Sequence, residues 1–218
     1  MGGEDAIGKN NNLRLLAGTG SISFNANLGA RQNATPDFNS QLGTLIIEDT
    51  TGSVTFGGAD VEDTPDDLAP VTSVRTNDFI DLGLGTDDTD DVIGGIFLNG
   101  GDTRADTTLV FSTSGDDIRI NGAVELQGGV TFTTSSNDST GANTQSLGGD
   151  ILFTDNATID SQPMAADDDI SEDNNLRLLA GTGSISLNAN LGARQNATPD
   201  FKSPLGTLII EDTTGSVT

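Results

Sequence analysis

Three clusters of carboxylates are where this sequence could do chemistry. They are Asp60, Glu62, Asp63, Asp66 and Asp67; then Asp87, Asp88, Asp90 and Asp91; then Asp167, Asp168, Asp169, Glu172 and Asp173. Closely spaced carboxylate oxygens in turn-rich segments are what a hard cation such as calcium requires, because it is held almost entirely by oxygen ligands.

The second cluster is the most specific. Gly83-Leu84-Gly85-Thr86-Asp87 echoes the G-x-G-x-D core of a nonapeptide repeat that holds calcium between successive turns of a solenoid. The echo occurs once, lacks the preceding glycine and has Thr89 where an apolar residue belongs. Asp87, Asp88, Asp90 and Asp91 are therefore the metal-ligand candidates, and calcium is the one cofactor the sequence suggests. The competing reading of all three clusters is a solvated acidic loop. No D-x-[DN]-x-[DN]-G run with a glutamate at its twelfth position occurs, so there is no EF-hand.

Enzymatic chemistry finds little to work with, and no catalytic residue is expected. Two carboxylates suitably separated suffice for glycoside cleavage, and β-helices can host polysaccharide-active enzymes. With 33 acidic residues such a pair would arise by chance. There is no histidine to exchange protons near neutral pH, and hence no Ser-His-Asp triad. Trp and Tyr, the usual sugar-stacking platforms, are missing, and no P-loop or dinucleotide fingerprint opens a helix. Outward threonines such as Thr131, Thr133 and Thr134 could order water or glycans, but threonine is also simply a good strand residue. Asn33, Asn156 and Asn196 head glycosylation sequons that, outside a eukaryotic secretory pathway, are ordinary polar turns.

The elements that would position these residues are short strands. Gly, Asn, Thr, Ser and Asp dominate, the only aromatics are nine Phe, and cysteine is absent. Such a mix suits strands joined by tight turns. The amphipathic runs a helical protein needs are missing. The formal net charge of −24 repels nucleic-acid phosphate and anionic lipid while favouring solubility. Nucleic acid is accordingly not an expected partner, and no apolar run is long enough for a membrane helix. The opening residues carry no signal-peptide pattern.

The chain contains one long passage almost twice. Asn11–Thr55 recurs as Asn174–Thr218 at an offset of 163 residues, with Phe24, Asn39 and Gln41 replaced by Leu187, Lys202 and Pro204. Met1, Asp5 and Ile7 also align with Met164, Asp168 and Ile170. The expectation is a single solenoid segment over residues 1–218, cut from a longer tandem array: one block at 1–163 and the start of the next at 164–218.

Beneath the long repeat lies a shorter one. Leu13 and Leu15 are followed by Ile22 and Phe24, Leu45 and Ile47 by Val54 and Phe56, and Leu109 and Phe111 by Ile118 and Ile120, each pair of pairs across a Gly-containing turn. Apolar residues two apart share one strand face. Read as two-strand units starting at Leu13, Leu45, Ile80, Leu109, Val130, Ile151, Leu176 and Leu208, the pattern predicts some seven or eight coils, a rod of roughly 35 Å at about 4.8 Å per coil. The segments Asn25–Gln41, Gly57–Asn77, Gly85–Asp91, Ser135–Ser146 and Ser161–Asp173 read as loops. Repetition of one unit favours a parallel β-solenoid (β-helix) with irregular acidic loops. An antiparallel β-sandwich, in which each unit is a hairpin, is the alternative.

The phrases NLRLLAGTGSISFNANLG, LGTLIIEDTTGSVTFGGA and VELQGGVTFTTS resemble the β-strand-repeat regions of large bacterial extracellular proteins of the filamentous-haemagglutinin-like, adhesin type. Ala17-Gly18-Thr19-Gly20, Val54-Thr55-Phe56-Gly57 and Val130-Thr131-Phe132 carry the pattern, which covers well over half the chain and departs at Asp60–Gly101. The resemblance implies a right-handed parallel β-helix, secretion to the exterior or cell surface, and a stalk or adhesive role. Neighbouring repeats of the parent chain and host or matrix surface ligands would be the partners. A calcium-binding extracellular module and a β-helix polysaccharide enzyme remain the alternatives. The expected core is Leu15, Ile22, Phe24, Leu45, Ile47, Val54, Phe56, Leu109, Phe111, Ile118, Val130, Phe132, Ile151 and Phe153. Open coil ends on such a piece invite end-to-end self-association.

Overall fold

A computed structural model describes residues 11–29, 42–57, 71, 73–83, 92–98, 108–135, 148–154, 157–161, 174–192 and 205–218. All regular structure among them is β, in three walls of parallel strands. Numbered in chain order, the first wall stacks β1 (Leu13–Gly18), β3 (Leu45–Thr50), β6 (Ile80–Leu82), β9 (Ile118–Ile120), β12 (Ile151–Phe153) and β15 (Ile185–Leu187). The second stacks β2 (Ile22–Phe24), β4 (Val54–Phe56), β7 (Ile96–Leu98), β10 (Ala123–Leu126), β13 (Thr158–Ser161) and β16 (Asn190–Leu191). The third stacks β5 (Ser73–Arg75), β8 (Leu109–Ser112), β11 (Val130–Thr133), β14 (Leu176–Leu179) and β17 (Leu208–Ile210).

The chain visits the walls in rotation, so the fold is a parallel β-solenoid. Parallel pairing throughout excludes the antiparallel sandwich. The barest coil is β9-β10-β11, whose strands are separated only by Asn121-Gly122 and Gln127-Gly128-Gly129. Other coils carry additional segments at their corners or within a wall.

Each wall selects the same local pattern. Leu45 and Ile47, Val54 and Phe56, and Ile118 and Ile120 point inward and are fully buried, while the residues between them face out. Register is pinned because a slip of one residue would turn every apolar side chain to water. Eleven of the fourteen expected core residues are buried; Leu15, Ile22 and Phe24, at the first coil, are half-buried.

Phenylalanines form a column inside. Phe24 stacks on Phe56 at 4.7 Å between ring centroids, Phe56 meets Phe111 edge-on at 5.0 Å, Phe111 stacks on Phe132 at 5.0 Å, and Phe132 meets Phe153 edge-on at 5.6 Å. These rings come from all three walls. Such pairs contribute about 0.5–1.5 kcal/mol each beyond the area they bury.

The two-strand unit expected from the sequence is corrected to three strands per coil. Ser73–Arg75 lies inside the segment expected to be a loop, and Leu28, also inside an expected loop, bridges to Val74. A three-residue strand with one inward apolar residue shows no alternation to detect. The deepest walls are six strands deep, about 29 Å at about 4.8 Å per coil rather than 35 Å.

The duplicated passage does not return to the same wall. β1 and β2 lie on the first and second walls, whereas their copies β14 and β15 lie on the third and first. Pairing within the passage is nonetheless preserved: Leu13↔Leu45 recurs as Leu176↔Leu208, and Ile22↔Val54 as Ile185↔Val217. The walls are interchangeable because each asks only for alternate apolar residues and a small residue at the corner. The corner demand is steric. A Cβ on Gly183 would lie 2.0 Å from Gly149 O, and one on Gly215 would lie 2.2 Å from Gly183 O.

Candidate functional surface

The metal candidates Asp87, Asp88, Asp90 and Asp91 lie outside the described residues, as do the clusters Asp60–Asp67 and Asp167–Asp173 and the sequon residues Asn33, Asn156 and Asn196. Among the described residues no group of three or more His, Cys, Asp or Glu is placed to hold a metal ion. What the fold does fix is where those segments join the rod.

Their roots are pinched. Gly83 and Val92 flank residues 84–91, and a Cβ on Gly83 would lie only 2.9 Å from Val92 N and 2.4 Å from Asn121 O. Gly83 has φ of +85°, a region that glycine enters without strain. The Gly83 N–H donates to Ile47 O at 2.7 Å, and the buried Asn121 Nδ2 donates to Gly83 O at 2.9 Å. Thr154 Oγ1 donates in turn to Asn121 Oδ1. These bonds link four successive coils, through Ile47, Gly83, Asn121 and Thr154.

Ser161 and Asn174, which flank residues 162–173, are joined by a similar clamp. Asn174, buried, donates from Nδ2 to Ser161 Oγ at 2.6 Å and to Leu126 O at 2.8 Å. On either side of residues 30–41, Leu28 and Leu42 bridge to Val74 and Thr76 next to the third wall, and Leu42 N–H donates to Arg75 O. A buried amide left without partners would cost about 1–3 kcal/mol, so these clamps are structurally necessary.

A second set of polar residues runs up the wall edges. Asp117 Oδ1 accepts the Asp150 N–H at 2.9 Å, Asp150 Oδ1 accepts the Ser184 N–H at 2.7 Å, and Ser184 Oγ accepts the Ser216 N–H at 3.3 Å. Asn12, Ser21 and Asn27 do the same for the N–H groups of Thr44, Ser53 and Ser73, each at 3.1 Å. These side chains tie coil to coil. Sequence reading missed them, although the signal was present: a short Asn, Ser or Asp stands just before an apolar strand.

Charges also pair between coils: Arg14 bonds Glu48, and the duplicate pair Arg177 and Glu211 repeats it. Within one coil, Arg119 Nη2 donates to Asp117 Oδ2 at 2.8 Å. The two exposed pairs, Arg177–Glu211 and Arg119–Asp117, add about 0–1 kcal/mol each. Of the threonines expected to face out, Thr134 is buried and donates to Gly149 O at 2.7 Å, while Thr131 is nearly covered. Thr134 therefore serves a corner, not a recognition face.

The described residues form a three-walled scaffold of stacked parallel coils. No protein-family model, curated protein or solved structure matches the chain.

Proposed function

We propose that this chain is a segment of a large secreted or cell-surface bacterial repeat protein, acting as a stalk that spaces or presents binding regions. The observation that supports the reading most is the junction between the two copies. The end of the first block and the start of the second form one uninterrupted solenoid, through β11 with β14 and β12 with β15. A block that joins its successor by ordinary coil stacking makes a rod whose length grows with copy number.

In this role the described residues need no catalytic chemistry. The apolar column resists bending, the corner glycines let coils approach, and the strong negative charge keeps a long rod soluble. Host or matrix ligands would be met by the segments departing from the corners, since recognition concentrates in loops carried on a rigid frame.

The test is labelling of intact source cells with an antibody raised against this chain. Strong labelling without permeabilisation is expected. Labelling that appears only after the cells are permeabilised would overturn the extracellular stalk.

A further inference from the structure

We infer that the open edge of the first coil is a docking site for the end of another block of this same sequence, in a defined register. Leu13–Leu16 and Leu176–Leu179 are the same four residues. On its following side each pairs with the next copy of LII: Leu13 with Leu45, Leu176 with Leu208. Among the described residues only the second copy is covered on its preceding side, by β11, with Val130↔Leu176, Thr131↔Arg177, Phe132↔Leu178 and Thr133↔Leu179.

The effect of that cover is visible residue by residue. Leu179 is 8 % exposed where Leu16 is 52 % exposed. Leu176 and Leu178 are fully buried where Leu13 and Leu15 are half-buried. Asn175 O accepts the Val130 N–H at 2.9 Å and Leu179 O accepts the Thr134 N–H at 3.0 Å. Asn12 O and Leu16 O are the corresponding acceptors on the first copy. Likewise Ile185 is buried beneath Ile151, and its counterpart Ile22 is half-buried.

The occupant is therefore a coil carrying Val-Thr-Phe-Thr over Leu13–Leu16 and Ile-Leu-Phe over Ile22–Phe24. A separate copy of this chain cannot supply it, because its own β11 and β12 are paired on both edges. A block joined ahead of Met1 can. The same reasoning sets the geometry of an array. From β1 to its copy β14 the chain advances four full coils and two further walls, so each block adds about 22 Å at about 4.8 Å per coil. Each block is also offset by two walls. The same corner segment then emerges from a different side in three successive blocks before the pattern returns.

This inference deepens the stalk reading but does not depend on where the protein resides. The experiment extends the full chain by one further copy of residues 1–163 ahead of Met1. Two cysteine pairs are compared in this cysteine-free sequence. The first is Thr131→Cys in the added block with Arg14→Cys in the original. The second, a folding control, is Thr131→Cys with Arg177→Cys within the original. Register neighbours fall within disulfide reach. Both pairs are expected to oxidise to similar extent, the amides of Thr134 in the added block and of Leu13–Gly18 should slow in hydrogen exchange, and the scattering length should rise by about 22 Å. Cross-linking of the control pair alone, with the added block behaving as a separate jointed body, would overturn the inference. So would an extended chain that does not fold. Failure of cell-surface labelling would remove the stalk reading and leave this docking register standing.

Discussion

Phe153 and Leu187 are register partners on the first wall, and the ring column that begins at Phe24 ends between them. Leu187 stands where the first copy of the repeat has Phe24, whose ring stacks on Phe56 at 4.7 Å. Leu187→Phe should extend the column by one ring. The expected gain is about 0.5–1 kcal/mol, smaller than for a buried pair because Leu187 is half-exposed. A urea midpoint for the variant that falls below the parent's would count against ring stacking as a stabiliser here.

Inside the column the rings should be far more sensitive. Phe132 is fully buried between Phe111 and Phe153. Phe132→Ala should cost about 3–5 kcal/mol, the range for deleting a core aromatic. Phe24→Ala, at the half-buried first coil, should cost well under half of that. Equal losses in chemical denaturation would mean that the first coil is covered more fully than its exposure indicates.

Two corner glycines separate steric from conformational demand. Gly183 has no room for a Cβ, which would meet Gly149 O at 2.0 Å. Gly183→Ala should therefore destabilise by about 1–3 kcal/mol through forced displacement of one coil from the next. Gly18 has open space but a φ of +55°. Asparagine accepts that conformation, so Gly18→Asn should cost no more than about 1 kcal/mol. Thermal melts of the two variants decide whether the order is as stated.

The acidic segment between Gly83 and Val92 offers a direct contrast of readings. If Asp87, Asp88, Asp90 and Asp91 are a solvated loop on a pinched root, millimolar calcium should leave the melting temperature near that given by the same ionic strength of sodium chloride. Replacing all four by Asn should then change little. A saturable, calcium-specific rise in melting temperature that the four Asn substitutions abolish would establish a calcium module instead.

The strands with visible alternation were legible before any coordinates. Leu45/Ile47, Val54/Phe56, Leu109/Phe111 and Ile118/Ile120 announce themselves by period two, and the solenoid follows from their repetition. Val74 does not, because a lone inward valine between Ser73 and Arg75 leaves no period to read. The offset of the second copy by two walls was equally hidden. Sequence offset counts residues, whereas wall position depends on how many short strands intervene, and several of these carry little signal. The loop roots at Asn121 and Asn174 were missed because an isolated asparagine before a glycine or an apolar strand looks like any turn residue. The calcium candidates were named from spacing alone and fall outside the described residues.

The central claim is that the repeat re-enters the solenoid on a different wall, and one cross-linking measurement on the 218-residue chain tests it. Arg177 is the register partner of Thr131 on the third wall, although its counterpart Arg14 lies on the first. Oxidation of Thr131→Cys/Arg177→Cys should give an intramolecular disulfide in near-quantitative yield. Leu152→Cys/Arg177→Cys, which would place the second copy on the first wall like the original, should not cross-link. The reverse result would contradict the wall shift and the array geometry that follows from it.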